Sequence, residues 1–184
     1  MANKDKLIMD KKAVELAVKK LARDIVDNNG GTNNLAIVGI QTRGVPLGKR
    51  IIAEILKLET SKGVKDIPFG ILDITLYRDD MDSMSSVPLV KDTDIPFDIT
   101  DKVVVIVDDV VFTGRSVRAA IDELIDFGRP ERIELAVLID RGHRELPIEP
   151  NFVGKKVATK KDELVDVELE EIDGKDSVFL KLKA

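Results

Sequence analysis

The sequence predicts an α/β domain with a mostly parallel central sheet. Two apolar segments, 35–40 and the wholly β-branched 103–107, are typical of strands that are covered on both faces. Each is followed by a stretch in which apolar residues recur at helical spacing, so strands and helices alternate along the chain. With 184 residues, of which 43% are hydrophobic, the chain is long enough for one domain with a substantial core.

The first half of the chain alternates helices and strands. Asp10 is the expected N-cap of a helix that runs to about Asn28. The strand at 35–40 leads through a short loop into a helix from about Pro46 to Leu58, and a longer strand is predicted at 69–77. Between residues 78 and 100 the periodicity disappears. Because a segment of that length inside a compact domain is often functional, we predict a flexible lid there.

In the second half, the strand at 103–107 leads into a helix that ends near Phe127, and 133–139 predicts another buried strand. After Asp140 the pattern is irregular. Two alternating segments near the C-terminus flank Asp173 and Gly174, which predicts a hairpin. We therefore expect one domain over residues 1–184, with a small hood and hairpin at 140–184.

Composition excludes several classes of function. The chain has no cysteine, which excludes disulfides, thiol nucleophiles and cysteine-bound zinc. The apolar run that follows the first six residues has only three residues, 7–9, which is too short for a signal peptide, and no apolar run reaches membrane-spanning length. We therefore expect a cytoplasmic protein with no membrane partner. His143 is the only histidine, and no nucleophile elbow accompanies it, which argues against a Ser-His-Asp triad.

The most informative motif joins the strand at 103–107 to two carboxylates and a turn suited to phosphate. Asp108 and Asp109 follow the strand at its carboxyl end, where open α/β sheets bind ligands. The turn at 113–116 then leads into a helix, whose first N–H groups and positive dipole end favour an anion. Because carboxylates repel phosphate, the acids should face hydroxyl groups or a metal ion. A sugar phosphate meets both requirements.

This motif resembles the phosphoribosyl pyrophosphate (PRPP) signature of type I phosphoribosyltransferases. Residues 39–44 resemble the loop of that family that surrounds the pyrophosphate, and 76–80 resemble the start of its flexible catalytic loop. With 140–147 and 151–155, the resemblance narrows to the PyrR family, pyrimidine operon attenuators that are also uracil phosphoribosyltransferases. It covers nearly the whole chain. It implies the type I phosphoribosyltransferase fold, with a mostly parallel central sheet flanked by helices, a lid and a C-terminal hood.

The resemblance also implies which residues act on PRPP. Asp108 and Asp109 would hold the ribose hydroxyls, and Arg43 would contact the pyrophosphate with its Mg²⁺, which the pyrophosphate itself would mainly hold. Arg78 would close over the pyrophosphate from the lid. The other expected PRPP-binding positions are Thr42, Gly44, Val104, Val105, Ile106, Val107, Val110, Val111, Phe112, Thr113, Gly114, Arg115 and Ser116.

The same resemblance implies the acceptor. Asp140, Arg141 and the backbone near Val165 would surround uracil, and uracil N1 would displace pyrophosphate to give UMP. Members of the superfamily that act on 6-oxopurines carry a third acid just before the Thr-Gly pair. Here that position is Phe112, which cannot accept a proton from a purine, so a purine phosphoribosyltransferase is the less favoured alternative.

A second function follows from the resemblance, the binding of pyrimidine operon leader mRNA with UMP or UTP as effector. The positions expected to contact RNA are Lys19, Arg23, Arg144, Lys155 and Thr159. The net charge of −5 allows a local basic face but does not predict one, and such residues are also typical of a solvated surface. Glu149 stands where a basic residue is expected, and an acid there should repel phosphate.

Three hypotheses therefore stay open: a bifunctional enzyme and regulator, an enzyme without RNA binding, and an RNA regulator that uses the PRPP site as a nucleotide sensor. In each case the resemblance implies a homodimer or a tetramer.

Overall fold

The computed structural model describes residues 5–77 and 93–182. Its four α-helices are α1 (Lys11–Asn28), α2 (Gly44–Leu58), α3 (Arg115–Ile125) and α4 (Glu170–Asp173). Its eight strands are β1 (Lys6–Met9), β2 (Leu35–Ile40), β3 (Phe69–Leu72), β4 (Val103–Val111), β5 (Arg132–Asp140), β6 (Phe152–Lys156), β7 (Glu163–Glu168) and β8 (Ser177–Leu182).

The strands form two sheets. The larger sheet has five parallel strands in the order β3-β2-β4-β5-β6. The chain moves outward from β2 to β3 on one side and from β4 to β6 on the other, so the segments that follow β2 and β4 diverge. Such a point is where open α/β sheets bind ligands. A smaller antiparallel sheet has the order β1-β8-β7. The predicted α/β class with a mostly parallel sheet is confirmed.

Strand β4 is covered on both faces, as its apolar sequence predicts. Val103, Val105 and Val107 pack into a cluster with residues of α1 and α2. Val104 and Ile106 point to the opposite face and pack with residues of α3. Alternation of this kind is the geometry of a strand, whose successive side chains point to opposite faces. The central strand is therefore held in place by helices on both sides.

The first helix begins where the sequence predicts. Asp10 is its N-cap, with extended backbone, and its carboxylate accepts a hydrogen bond from the backbone N–H of Ala13 over 2.8 Å. The predicted strand at 69–77 is wrong in its second half, because β3 ends at Leu72 and residues 74–77 form a 3₁₀ helix. The cause is local, since the Asp73 carboxylate accepts from the backbone N–H of Thr75 and turns the chain.

The C-terminal hairpin is present, but its connection is longer than predicted. Strands β7 and β8 pair antiparallel, with Val165 opposite Leu180. Asp173 is the last residue of the single-turn helix α4, and Gly174 ends that helix with a left-handed backbone (φ 76°). The hood thus presents a helical turn at its tip, whereas a tight hairpin turn was expected.

Two further strands were not predicted. β6 lies in a segment interpreted as irregular, yet it pairs parallel with β5 and forms an edge of the large sheet. The apolar pattern of β6 is interrupted by Gly154. Only glycine fits at this position, because a Cβ there would lie 2.6 Å from the carbonyl oxygen of Leu138. β1 pairs with β8, so the N-terminal segment extends the smaller sheet.

Most of the predicted lid at 78–100 lies outside the described residues. From residue 93 onward the chain packs against the large sheet. Asp94 and Ile71 exchange two backbone hydrogen bonds of 2.7 and 2.9 Å, and Ile99 is fully buried. The predicted end of the lid at residue 100 is therefore too late, since this last part belongs to the packed fold.

We expect Gly44→Ala to destabilise the protein. Gly44 is the first residue of α2, and a Cβ at this position would lie 2.2 Å from the carbonyl oxygen of Val107 in β4. The helix would have to move away from the sheet, which should lower the free energy of unfolding by about 1–3 kcal/mol. Urea unfolding measures this loss. Lys57→Ala on the same helix is the control, since its side chain is 69% exposed and should change stability by less than about 0.5 kcal/mol.

Candidate functional site

A cavity of about 330 Å³ opens at the carboxyl ends of β2 and β4, where their connecting segments diverge. It contains residues from four separate segments that the fold brings together. Its lining consists of Ile40, Gln41, Thr42, Asp73, Ile74, Thr75, Asp108, Asp109, Val110 and Ser116. Half of these residues, namely Thr42, Asp108, Asp109, Val110 and Ser116, are positions that the sequence predicts for PRPP.

The two acids of the motif are held in defined orientations. The Asp108 carboxylate accepts from the backbone N–H of Asp109 over 2.8 Å, and the Asp109 carboxylate accepts from that of Val110 over 3.0 Å. Asp108 is buried and Asp109 half-buried, so both lie at the wall of the cavity. Carboxylates fixed by the backbone in this way can accept hydrogen bonds from a pair of hydroxyl groups.

The turn after β4 has the geometry expected of an anion site. Gly114 has a left-handed backbone (φ 91°) and precedes the first residue of α3, Arg115. This conformation favours glycine, and it directs the first N–H groups of α3 toward the carboxyl end of the sheet. Ser116 lines the cavity. The Arg115 side chain forms an ion pair of 2.8 Å with Glu145, which ties this turn to the segment after β5.

The loop between β2 and α2 supplies the opposite wall. The peptide bond between Gln41 and Thr42 is cis, and both residues line the cavity. Arg43 is the N-cap residue of α2. Its guanidinium forms two parallel hydrogen bonds to the Asp173 carboxylate, of 2.8 and 3.2 Å, and this pairing raises the pKa of Arg43. The side chain predicted to hold pyrophosphate is thus paired with the hood.

The sequence did not predict the contribution of the segment after β3. Asp73 is buried beside the cavity, and its backbone N–H donates to the Thr93 hydroxyl. That hydroxyl donates to Glu123 of α3, whose pKa is raised because the side chain is buried. An Asp followed two residues later by Thr, at the end of an apolar strand, is a recognisable turn signal. This turn signal could have identified the segment after β3 as part of the cavity wall.

Several predicted PRPP positions have a structural role. Val104, Val105, Ile106, Val107 and Val111 are at most 1% exposed, so their side chains cannot contact a ligand in the cavity. They are buried in the strand that positions the acids, so any contact with PRPP would be through their backbone. Gly44 acts through its close approach to β4. Arg78 lies outside the described residues.

The residues predicted for the base lie next to the PRPP motif. The guanidinium carbon of Arg141 is 3.9 Å from the centre of the Phe112 ring, and burial lowers the pKa of Arg141. Asp140 accepts hydrogen bonds from the Arg144 guanidinium and the backbone N–H of Gly142. The Val165 side chain is buried in the core, so only its backbone is a candidate for base contact.

The positions predicted for RNA divide into two groups. Lys19 and Arg23 on α1 and Lys155 on β6 are exposed. These elements are neighbours, since Lys20 of α1 donates to the carbonyl of Val153 in β6 over 2.9 Å. The two predicted basic segments therefore lie on neighbouring elements. Lys155 also donates to the carbonyl of Ile8 over 3.1 Å.

Arg144 and Thr159 belong to the second group, whose side chains bond within the protein. The Arg144 guanidinium donates to the carbonyls of Ile148 and Phe112 and to the Asp140 carboxylate, and its side chain is only 12% exposed. The Thr159 hydroxyl bonds to Arg141. Both side chains hold the segment after β5 together, and their contact with RNA stays a prediction.

Comparison with known proteins agrees with this geometry. Residues 6–172 match the family model of the phosphoribosyl transferase domain. The fold is similar to that of a hypoxanthine phosphoribosyltransferase from Staphylococcus aureus, with a TM-score of 0.68 and 22% identity over 97% of this chain and 92% of that one. It is also similar to a hypoxanthine-guanine phosphoribosyltransferase from Bacillus anthracis, with a TM-score of 0.71 and 18% identity over 95% and 96% of the two chains. At these identities the likeness shows the fold alone.

Sequence relatives are much closer. The chain is 55% identical to the bifunctional protein PyrR of Acetivibrio thermocellus, over 94% of this chain and 92% of that protein. It is 53% identical to the PyrR of Thermus aquaticus, over 94% and 93% of the two chains, and 50% identical to that of Deinococcus radiodurans, over 94% and 92%.

The fold and the cavity define a phosphoribosyltransferase of type I, as the sequence predicts. Within that class, the chain belongs to the PyrR family of bifunctional proteins.

We expect the double substitution Asp108→Asn with Asp109→Asn to abolish phosphoribosyl transfer while the fold survives. Each amide keeps one oxygen for the backbone bond but loses the negative charge at the ribose. Turnover should fall by at least about a hundredfold, the scale seen when one preorganised polar group is removed from an active site. Pyrophosphate release measures turnover, and circular dichroism checks the fold. Asp24→Asn with Asp27→Asn on α1 is the control of equal charge. Near-normal turnover in the double variant would show that the site is misassigned.

Proposed function

We propose that this PyrR-family protein converts uracil and PRPP into UMP and pyrophosphate, and that it binds pyrimidine operon leader mRNA under the control of uridine nucleotides. The observation that carries the enzymatic part is the shared cavity at the switch point of the sheet. There the acid pair of β4, the turn at the start of α3 and the loop after β2 meet. Membership of the PyrR family supports both parts.

Each side of the cavity suits one part of PRPP. Asp108 and Asp109 would accept hydrogen bonds from the ribose hydroxyls. The N–H groups of the turn at 113–116 would hold the 5′-phosphate. Thr42 and Arg43 would contact the pyrophosphate, on which negative charge builds as the bond to the anomeric carbon breaks. Donors that are already in position stabilise such charge without reorganisation. Arg78 would add a further positive charge from the segment after Tyr77.

Magnesium would assist by neutralising the leaving pyrophosphate. Among the described residues no three Asp, Glu or His side chains cluster closely enough to hold a metal by themselves. The nearest donors are the two carboxylates of β4, which line the cavity. This donor set suits an ion that keeps several waters and is bound mainly through the oxygens of PRPP. Asp108 and Asp109 would hold it through the ribose hydroxyls.

The surroundings of Phe112 favour uracil as the acceptor. The ring packs under the Arg141 guanidinium, so this position supplies an apolar surface and no proton acceptor. A purine that must lose a proton would find no carboxylate here. Asp140, Arg141 and the backbone near Val165 are proposed to form the base side.

The RNA-binding surface is proposed to lie on α1 and β6, where Lys19, Arg23 and Lys155 are exposed on neighbouring elements. Positive charges on one face attract the phosphate backbone without reading its sequence. Glu149 is 3.6 Å from the Arg144 guanidinium and 74% exposed, so this acid faces solvent on the segment that follows β5.

Assembly and location complete the proposal. A homodimer, or a tetramer made from two dimers, would repeat the basic face and strengthen its field. The described helices are too short or too polar to cross a membrane. We propose that the protein acts in the cytoplasm.

We expect UMP to form when the protein is incubated with uracil, PRPP and Mg²⁺. IMP should form from hypoxanthine at least about a hundredfold more slowly, or not at all, because Phe112 would offer a purine no proton acceptor at its position. Chromatography of the nucleotide products measures both rates. Absence of UMP at saturating substrate would contradict the enzymatic part and favour a nucleotide-sensing regulator. Faster transfer to hypoxanthine would favour the purine alternative.

We expect the triple variant Lys19→Ala, Arg23→Ala and Lys155→Ala to lose affinity for leader RNA while it keeps UMP synthesis. Three phosphate contacts would be lost, so the slope of log affinity against log salt should become less steep by about two to three. Filter binding at several salt concentrations measures the slope. The triple variant Lys57→Ala, Lys62→Ala and Lys65→Ala removes equal charge from α2 and the loop after it, and should behave as wild type. Equal wild-type affinity for leader and scrambled RNA would contradict the regulatory part.

A further inference from the structure

The guanidinium predicted to receive pyrophosphate already holds an anion that belongs to the chain itself. Arg43 donates from Nη2 to Oδ1 of Asp173 over 2.8 Å and from Nε to Oδ2 over 3.2 Å. Two parallel bonds to adjacent oxygens are also the way in which arginine binds a phosphate group. Asp173 thus occupies one edge of the Arg43 guanidinium that a phosphate could bind in the same way.

The Asp173 carboxylate also makes a hydrogen bond within the hood. Its Oδ2 accepts from the backbone N–H of Leu169 over 2.8 Å, at the start of the helical turn α4. The pairing with Arg43 holds the pKa of Asp173 below its usual range, so the carboxylate is charged at neutral pH. Both partners remain in contact with solvent, with side chains 30% and 21% exposed. Such a pair is weak enough to exchange with a ligand.

The hood does not depend on this pair for its position. Arg50, about two turns further along α2, forms two hydrogen bonds to Glu171 and two to Asp176. The Asp176 side chain is only 3% exposed, so this second ion pair is the more buried one. The turn α4 is therefore attached to α2 at Arg50 whether or not Arg43 holds Asp173. The contact at Arg43 can open while the hood stays docked.

We propose that Asp173 competes with the pyrophosphate group for Arg43, so that this exchange sets the affinity of the site for PRPP and for released pyrophosphate. The proposal rests on the proposed function of the cavity. Asp173 would not touch the reacting atoms but would act through Arg43. In the ligand-free protein the carboxylate keeps the arginine neutralised and oriented. When pyrophosphate arrives, Arg43 would turn to it, and Asp173 would keep its bond to Leu169.

The test is Asp173→Asn, which removes the charge and keeps one oxygen to accept from Leu169. Titration calorimetry with inorganic pyrophosphate and Mg²⁺ measures binding directly, without uracil or turnover. We expect the dissociation constant to fall by about two- to fivefold, because a partly exposed ion pair of this kind is worth up to roughly 1 kcal/mol. The KM for PRPP should fall by a similar factor, while the KM for uracil stays constant.

Two variants serve as controls. Asp166→Asn removes a charge that acts on Arg43 at longer range and leaves both hydrogen bonds in place. Glu171→Gln weakens the ion pair at Arg50 and leaves Arg43 untouched. Both should bind pyrophosphate within about twofold of wild type. Melting temperatures check that all variants fold, and Asp173→Ser, whose hydroxyl can still accept from Leu169, replaces the asparagine variant if that one does not fold.

Unchanged or weaker pyrophosphate binding by folded Asp173 variants would overturn the proposal and leave Asp173 a structural residue. Equal tightening by Asp166→Asn would also overturn it, since general charge would then account for the effect. If uracil yields no UMP but Asp173→Asn still tightens pyrophosphate binding, the exchange holds and only the assignment of the acceptor fails.

Discussion

The site depends on one close contact between two backbones. Gly44 at the start of α2 approaches β4 so closely that even a methyl group would overlap the carbonyl of Val107. Gly39 in β2 makes a similar approach, since a Cβ there would lie 2.7 Å from the carbonyl oxygen of Gly44. Because no side chain separates these elements, the loop that carries Thr42 lies directly beside Asp108 and Asp109. The cavity is the space that remains between them at the carboxyl ends of β2 and β4.

Opposite charges are kept apart within this small space. The acids of β4 lie where neutral hydroxyls are expected, and the N-terminus of α3 and the loop after β2 lie where phosphate groups are expected. Two arginines of the anion-binding side each carry a carboxylate partner from the C-terminal part of the chain, Arg43 with Asp173 and Arg115 with Glu145. Both pairs remain in contact with solvent, so each contributes little to stability and can give way to a ligand. The pairing also means that ligand binding exchanges ion pairs and does not simply create them.

The parts of the molecule that sequence could predict are those that local chemistry decides. The apolar part of β4, the Asp10 cap and the turn at Gly114 follow from side-chain type and spacing alone. The end of β4 does not, since the strand continues beyond the predicted end at 107, through the two acids to Val111. Tertiary contacts decided the rest. Strand β6 has little apolar pattern and exists because β5 offers it an edge, and Asp73 reaches the cavity only because β3 lies beside β2. The hydrogen bonds of Arg144 to three backbone carbonyls and to the Asp140 carboxylate could not be inferred from sequence, because Arg144 is a basic residue in a segment without periodicity.

The segment after β5 connects the cavity to the basic face. Arg141 stacks on Phe112 of the PRPP motif, and the same guanidinium donates to the Thr159 hydroxyl and the carbonyl of Lys160. His143 reinforces this connection with a bond of 2.7 Å to the carbonyl of Thr159. A ligand can shift the affinity of a distant surface only through contacts that differ between two states. A base bound next to Phe112 would change the surroundings of Arg141, and Arg141 holds the chain that follows Lys155. The proposed base side and the proposed RNA-binding face are therefore linked by a continuous set of contacts.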